Sequence, residues 1–174
     1  MSIATIKASI RNVPDFPKKG IQFKDITTAI KKPDILREIL TDIAEHFADA
    51  KIDYVMGIES RGFIFGAALA YLLNCGFIPV RKSGKLPAKV IAQEYALEYG
   101  TDKLEIHADA LEKGCKVLIV DDLLATGGTA EAVAKLALHC GAEIAGFAFV
   151  VELNDLSGRA KLEKAAEVYS LVEY

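Results

Sequence analysis

Apolar residues fall into two alternating rhythms along this chain. Short unbroken runs occur at Tyr54-Val55-Met56-Gly57-Ile58, Phe77-Ile78-Pro79-Val80, Val117-Leu118-Ile119-Val120 and Ile144 to Val151. Runs of this length, rich in valine and isoleucine, suit strands buried on both faces of a parallel sheet. Between them the apolar positions take helical spacing. Ile35, Leu36, Ile39, Leu40, Ile43 and Phe47 follow Pro33-Asp34, a pair suited to a first helical turn. An Ala-rich stretch follows Gly62, and Val133, Leu136, Ala137 and Cys140 mark a third helix that Gly141 can end. Repeated strand–helix–strand units predict an α/β fold, an open and mostly parallel twisted sheet with helices on both faces.

The remaining segments break that rhythm. Up to about Thr28 the prolines of Val13-Pro14-Asp15-Phe16-Pro17 and the glycine of Lys18-Lys19-Gly20 favour a loop or arm over a helix. Val90-Ile91-Ala92 and Leu104-Glu105-Ile106-His107 predict the arms of a hairpin, and the stretch between them has too few apolar positions to be core. A lid that excludes water during chemistry fits that pattern. The tail predicts a short helix around Leu162 and a strand over Val168 to Val172. With no internal repeat or long linker, residues 1–174 read as a single domain, with an arm over 1–32 and a lid over 84–106.

Composition narrows the class. A hydrophobic fraction of 52% with 26% charged residues describes an ordinary soluble globule. The net charge of −3 argues against a general nucleic-acid binder, which needs a basic face. Phe63 to Val80 carries no charge, yet Asn74, Gly76 and Pro79 divide it into a helix and a strand, so no membrane span is expected. No secretory signal is visible, because Lys7 and Arg11 interrupt the N-terminal region. Cys75, Cys115 and Cys140 cannot all pair, and they share no metal spacing with His46, His107 or His139. Reduced thiols in a cytoplasmic protein are the simplest reading.

The chemistry concentrates in Val117 to Thr129, VLIVDDLLATGGT. Asp121 and Asp122 sit where the strand should end, and Ala125-Thr126-Gly127-Gly128-Thr129 leads into a helix. Ligands of open parallel sheets bind beyond the carboxyl ends of the strands. Small residues let backbone wrap an anion, and the next helix offers it free N–H groups. The two acids suit sugar hydroxyls or a magnesium ion beside the phosphate. A phosphorylated sugar is the ligand this chemistry describes. No G-x-x-x-x-G-K-[ST] occurs, and the adjacent Gly127-Gly128 do not match a dinucleotide fingerprint.

Two further polar segments fall at the same predicted sheet edge. Glu59-Ser60-Arg61-Gly62 repeats the strand, polar loop, helix plan, and an arginine there suits a phosphate. Arg81, Lys82, Lys85 and Lys89 form a basic loop after the next strand, compensation suited to a highly anionic substrate.

Five stretches together, DFPKKGIQFKDIT, GIESRGF, RKSGKLP, EYALEYG and VLIVDDLLATGGT, resemble the adenine phosphoribosyltransferases, a branch of the type I phosphoribosyltransferase family. The resemblance covers nearly the whole chain. It departs at Lys24, where many members carry arginine, and at Ala88, where many carry glycine. The first departure should be harmless if the base is read through backbone groups; the second bears on loop flexibility.

The resemblance implies the type I fold with a flexible hairpin lid and a small N-terminal hood over the base. It implies conversion of adenine and phosphoribosyl pyrophosphate (PRPP) to AMP and pyrophosphate, with Mg2+ bound mainly through PRPP and, through water, Asp121 or Asp122. Asp121 and Asp122 would hold the ribose hydroxyls and favour positive charge on the sugar. Ala125, Thr126, Gly127, Gly128 and Thr129 would hold the 5′-phosphate. Glu59, Ser60, Arg61, Lys82 and Lys85 would bind the pyrophosphate end, with Arg81 reaching it from the second subunit of a homodimer. Phe23 and Leu153 would sandwich the purine, whose edge the backbone of Gln22 and Lys24 would read. Glu98, with Tyr99 beside it, would handle the proton of the base. A PRPP-sensing regulator would need a nucleic-acid-binding module and has no use for the YALEYG lid. A transferase for xanthine or another base would share the PRPP motif, so the Phe23 segment and the Glu98 lid are what name adenine.

Overall fold

The computed structural model describes residues 2–96 and 101–174. In chain order the elements are α1 (Ile3–Ser9), β1 (Arg11–Pro14), β2 (Gln22–Asp25), α2 (Thr27–Ile30), α3 (Pro33–His46), β3 (Tyr54–Ile58), α4 (Gly62–Leu72) and β4 (Gly76–Lys82). They continue with β5 (Val90–Ala96), β6 (Thr101–His107), β7 (Lys116–Leu124), α5 (Gly128–His139), β8 (Glu143–Glu152), α6 (Arg159–Leu162) and β9 (Val168–Glu173). A seven-stranded sheet runs in the order β5-β6-β4-β3-β7-β8-β9. The pairs from β4 through β9 are parallel, and β6 and β5 join antiparallel at one edge.

Strand alternation builds two cores. Val117 and Ile119 of β7 face one cluster with Val133, Leu136 and Ala137 of α5, and Leu118 and Val120 face the other with Ile39, Ile43, Phe65 and Leu69 of α3 and α4. Because both faces are covered, β7 carries no polar residue between Val117 and Val120, as expected for a parallel central strand. Each fully buried side chain of this size contributes roughly 1.5–3 kcal/mol. The sheet is therefore the rigid part on which the loops at its carboxyl edge are mounted.

Four expectations change in detail. The N-terminal segment is not irregular: Ser2 caps α1 by accepting the Thr5 N–H, and the helix buries Ile6. Beyond it β1 and β2 pair as an antiparallel hairpin, fastened by Arg11 on Asp25 and by Asp25 on the Thr27 hydroxyl. Pro14 is tolerated because it ends a strand of a two-stranded ribbon. Second, β7 does not stop before the acids. It runs to Leu124, because β8 extends beside it and Leu124 still pairs with Glu152. Third, Arg81 and Lys82 are the end of β4 rather than a loop, paired with Glu105 and Leu104 of β6. Fourth, the hairpin arms are longer than expected, reaching Ala96 and Thr101, and they belong to the main sheet.

Candidate active site

The carboxyl ends of β3, β4 and β7 converge on a cavity of about 480 Å³ lined by Glu59, Ser60, Arg61, Lys82, Tyr95, Asp121, Asp122 and Thr129. Beside it the turn from β7 into α5 wraps a smaller one of about 200 Å³, bounded by Arg61 and the run from Asp121 to Ala130. Gly127 makes this turn possible: its φ of +77° is left-handed, a conformation costly for a residue with a Cβ. At the start of α5 the first backbone N–H groups have no helical acceptor and are available to an anion.

The acids occupy unlike environments. Asp122 is buried, and its Oδ2 accepts Arg61 Nε at 2.6 Å. Asp121 accepts the Asp122 N–H at 2.8 Å. Burial, and then the Asp122 charge beside it, pushes the Asp121 carboxyl well above the usual carboxylate range. A carboxyl raised in the folded state favours folding when protonated, so its contribution is lost as pH rises through the raised value. Asp121→Asn does not titrate and keeps an oxygen for the Asp122 N–H. Its melting temperature should therefore exceed the wild-type value by a margin that widens from about pH 4 to about pH 8. A margin constant across that range would show that Asp121 carries no such penalty.

Around the acids, charges are held by neighbours. Glu59 accepts Arg81 Nε at 3.1 Å and the Lys82 backbone N–H at 3.0 Å, and Arg81 holds its carboxyl below the usual range. Arg81 also donates to the Lys85 carbonyl at 3.2 Å. Buried Glu105 accepts Ser83 Oγ at 2.6 Å and the Gly84 N–H at 3.0 Å, which pins the start of the basic loop. Lys82 Nζ lies 3.6 Å from Asp102 Oδ2.

A third cavity, about 900 Å³, opens between the N-terminal hairpin and the start of α5, lined by Gln22, Lys24, Tyr95, Thr126, Thr129 and Leu153 among others. Lys24 is steadied by Asn12 Oδ1 at 3.0 Å and by the Tyr174 ring, whose centroid is 4.2 Å away.

The structure thus brings together Glu59, Ser60, Arg61, Lys82, Asp121, Asp122 and the run from Ala125 to Thr129. Gln22, Lys24 and Leu153 line the adjoining large cavity. Arg81, Lys85 and Phe23 line none of these three. The Phe23 ring packs edge-on against Phe16 at 5.2 Å and carries the Arg61 guanidinium 5.5 Å from its centroid. Glu98 and Tyr99 lie outside the described residues.

Sequence reasoning missed Tyr95 and Tyr174. Tyr95 lines both larger cavities and donates to Asp102 Oδ2 at 3.3 Å. Burial, and next the Asp102 charge, raises its phenol, while a hydrogen bond with Thr129 works the other way. Its position within EYALEYG was the available signal. Tyr174 reaches the cavity wall only through the fold, and nothing local in the sequence points to it.

The phosphoribosyl transferase domain model matches residues 24–173. The adenine phosphoribosyltransferase of Acaryochloris marina is 57% identical over 169 residues, covering 97% of this chain and 99% of the relative. The crystal structure of adenine phosphoribosyltransferase from Thermoanaerobacter pseudethanolicus superposes with a TM-score of 0.95 at 48% identity, covering 99% of this chain and all of the other. That of Saccharomyces cerevisiae, complexed with an imino-altritol bisphosphate and adenine, has a TM-score of 0.91 at 40% identity, covering 97% of each chain.

Proposed function

This chain belongs to the adenine phosphoribosyltransferase family, and on that premise we propose that it joins adenine to the ribosyl phosphate of PRPP in purine salvage, giving AMP and pyrophosphate. One observation carries the reading beyond family membership. The acid pair, Arg61 and the small-residue loop enclose adjoining cavities at one sheet edge, and a larger cavity under the N-terminal hairpin opens beside them.

In the reaction the bond from ribose C1 to pyrophosphate breaks and the bond from adenine N9 to C1 forms. Backbone N–H groups and hydroxyls from Ala125 to Thr129 hold the 5′-phosphate; hydrogen bonds to charged groups contribute roughly 1.5–3 kcal/mol each. Asp121 and Asp122 take the ribose hydroxyls and offset the positive charge that develops on the ring. Arg61, Ser60 and Lys82 bind the departing pyrophosphate. Glu59, itself anionic, serves by orienting Arg81 and the Lys82 N–H. Lys85 is exposed on the adjoining loop and free to swing toward an anion. The base lies between Phe23 and Leu153, read at its edge by the backbone of Gln22 and Lys24, and Glu98 accepts the N9 proton with Tyr99 beside it.

Magnesium fits this arrangement as a companion of PRPP. The chain offers two neighbouring carboxylates there, and among the described residues no group of three or more acids, histidines or cysteines could hold a metal. Magnesium is commonly held by one or two carboxylates together with substrate phosphates. When bound, it neutralises phosphate charge.

Residues 1–32 act as the hood and 84–106 as the lid of one domain. A homodimer is supported by α4, on which Ile64 and Leu72 are exposed and Tyr71 is 85% exposed. Such an apolar surface marks an interaction site, and Arg81 is assigned to the partner's pyrophosphate. Cytoplasmic residence is supported by three unpaired cysteines. Among the described residues no helix is long and apolar enough to cross a membrane.

The test is direct. Incubated with magnesium and PRPP, the protein should form AMP from adenine and react poorly with hypoxanthine or guanine. Equal turnover of all three bases would remove the adenine assignment while leaving the transferase chemistry in place.

A further inference from the structure

The loop from Ala125 to Thr129 leans on a segment that carries none of its chemistry. Gly158, the residue before α6, packs its backbone directly against the loop. A Cβ at position 158 would lie 2.2 Å from the Ala125 carbonyl oxygen and 2.8 Å from the Gly127 nitrogen. The contact is reciprocal, since a Cβ at Gly127 would lie 2.6 Å from the Gly158 carbonyl oxygen. The obstructing atoms are backbone, so no side-chain rotation relieves the clash.

The segment that carries Gly158 is itself anchored. Arg159 donates Nε to Glu152 Oε1 at 3.0 Å, pairs Nη2 with Glu152 Oε2, and donates Nη1 to the Val168 carbonyl at 2.6 Å. Glu152 is 3% exposed and pairs in the sheet with Leu124, immediately before the loop. A bidentate pair on a buried carboxylate fixes geometry more dependably than it adds stability. It ties the turn to β8 and β9, which pair with each other in the main sheet.

We infer that Gly158 and Arg159 are positioning residues that set the curvature of the phosphate loop. They act through Gly127 and Ala125 and need not touch the ligand. The inference rests on the reading of this loop as the 5′-phosphate cradle. Several N–H donors must each reach an anion at about 2.7–2.9 Å, so a loop displaced by about 1 Å loses more than one of them together.

Calorimetric titration of Gly158→Ala with AMP and with adenosine separates the possibilities, because the two ligands differ only in the phosphate. Affinity for AMP should fall about tenfold or more, with adenosine affinity unchanged. KM for PRPP should rise in step while KM for adenine holds. Equal losses for both ligands, or no loss for either, would overturn the inference. If Gly158→Ala does not fold, Arg159→Lys serves. It keeps a cation opposite Glu152 but loses the bidentate fork and the bond to Val168. It should show the same AMP-selective loss at a few-fold, and an unaltered AMP-to-adenosine ratio would equally overturn the inference. A wild-type protein that does not prefer AMP to adenosine would sink the phosphate-loop reading itself. A wild-type preference retained in both variants sinks only the positioning role.

Discussion

Asp122→Asn should lower kcat by about 100- to 1,000-fold while adenine affinity stays near the wild-type value, the loss typical of one preorganised electrostatic group. The reasoning starts from burial. Asp122 is 4% exposed, so the surrounding medium does little to screen its charge. Its carboxylate is already held by Arg61 at 2.6 Å, so no reorganisation is needed when positive charge appears on the ribose. Asparagine keeps the shape and an acceptor for Arg61 but removes the charge. The loss should therefore fall on the transition state and spare ground-state binding of the neutral base. Single-turnover rates and adenine titrations, with melting curves to confirm folding, measure both sides. An unchanged kcat would end the assignment of Asp122 to the charged transition state.

Glu98→Leu should cost a comparable factor, about 100- to 10,000-fold in kcat, the range for a positioned general base. Its assignment comes from family resemblance. β5 and β6 stay paired in register up to Ala96 and Thr101, and Tyr95, three residues earlier, lines both larger cavities. A carboxylate that takes the N9 proton must be ionised, so the acid limb of the wild-type kcat profile should disappear in the variant. Melting temperature should hold, because a residue whose role is to take a proton in the reaction has no part in holding the fold. A fall in melting temperature matching the fall in rate would recast Glu98 as a structural residue.

These two residues also show where sequence reasoning reached its limit. The pairing of acids with a small-residue loop is local, written within thirteen consecutive residues, so the ligand class was legible. The partner of Asp122 was not, since Arg61 lies 61 positions away and meets it only because β3 and β7 are neighbours. The predicted end of the β7 strand came from its charged residues. Its real end is set by β8, which continues beside it and supplies a ladder for Asp121 through Leu124. The N-terminal helix went unpredicted because its caps and its one buried residue, Ile6, make too short a period to stand out.

The alternation of strands and helices, the burial of both sheet faces and the chemistry of the acid pair and its loop are all written in short stretches of the chain. All of these depend on residues close together in the chain, where spacing of 2 or 3.6 residues and local turn chemistry govern. Tertiary structure alone decided which groups meet: Arg61 with Asp122, Lys24 with Tyr174, and the Gly158 backbone with Gly127. Such contacts arise from packing between distant segments, and no local periodicity encodes their distances.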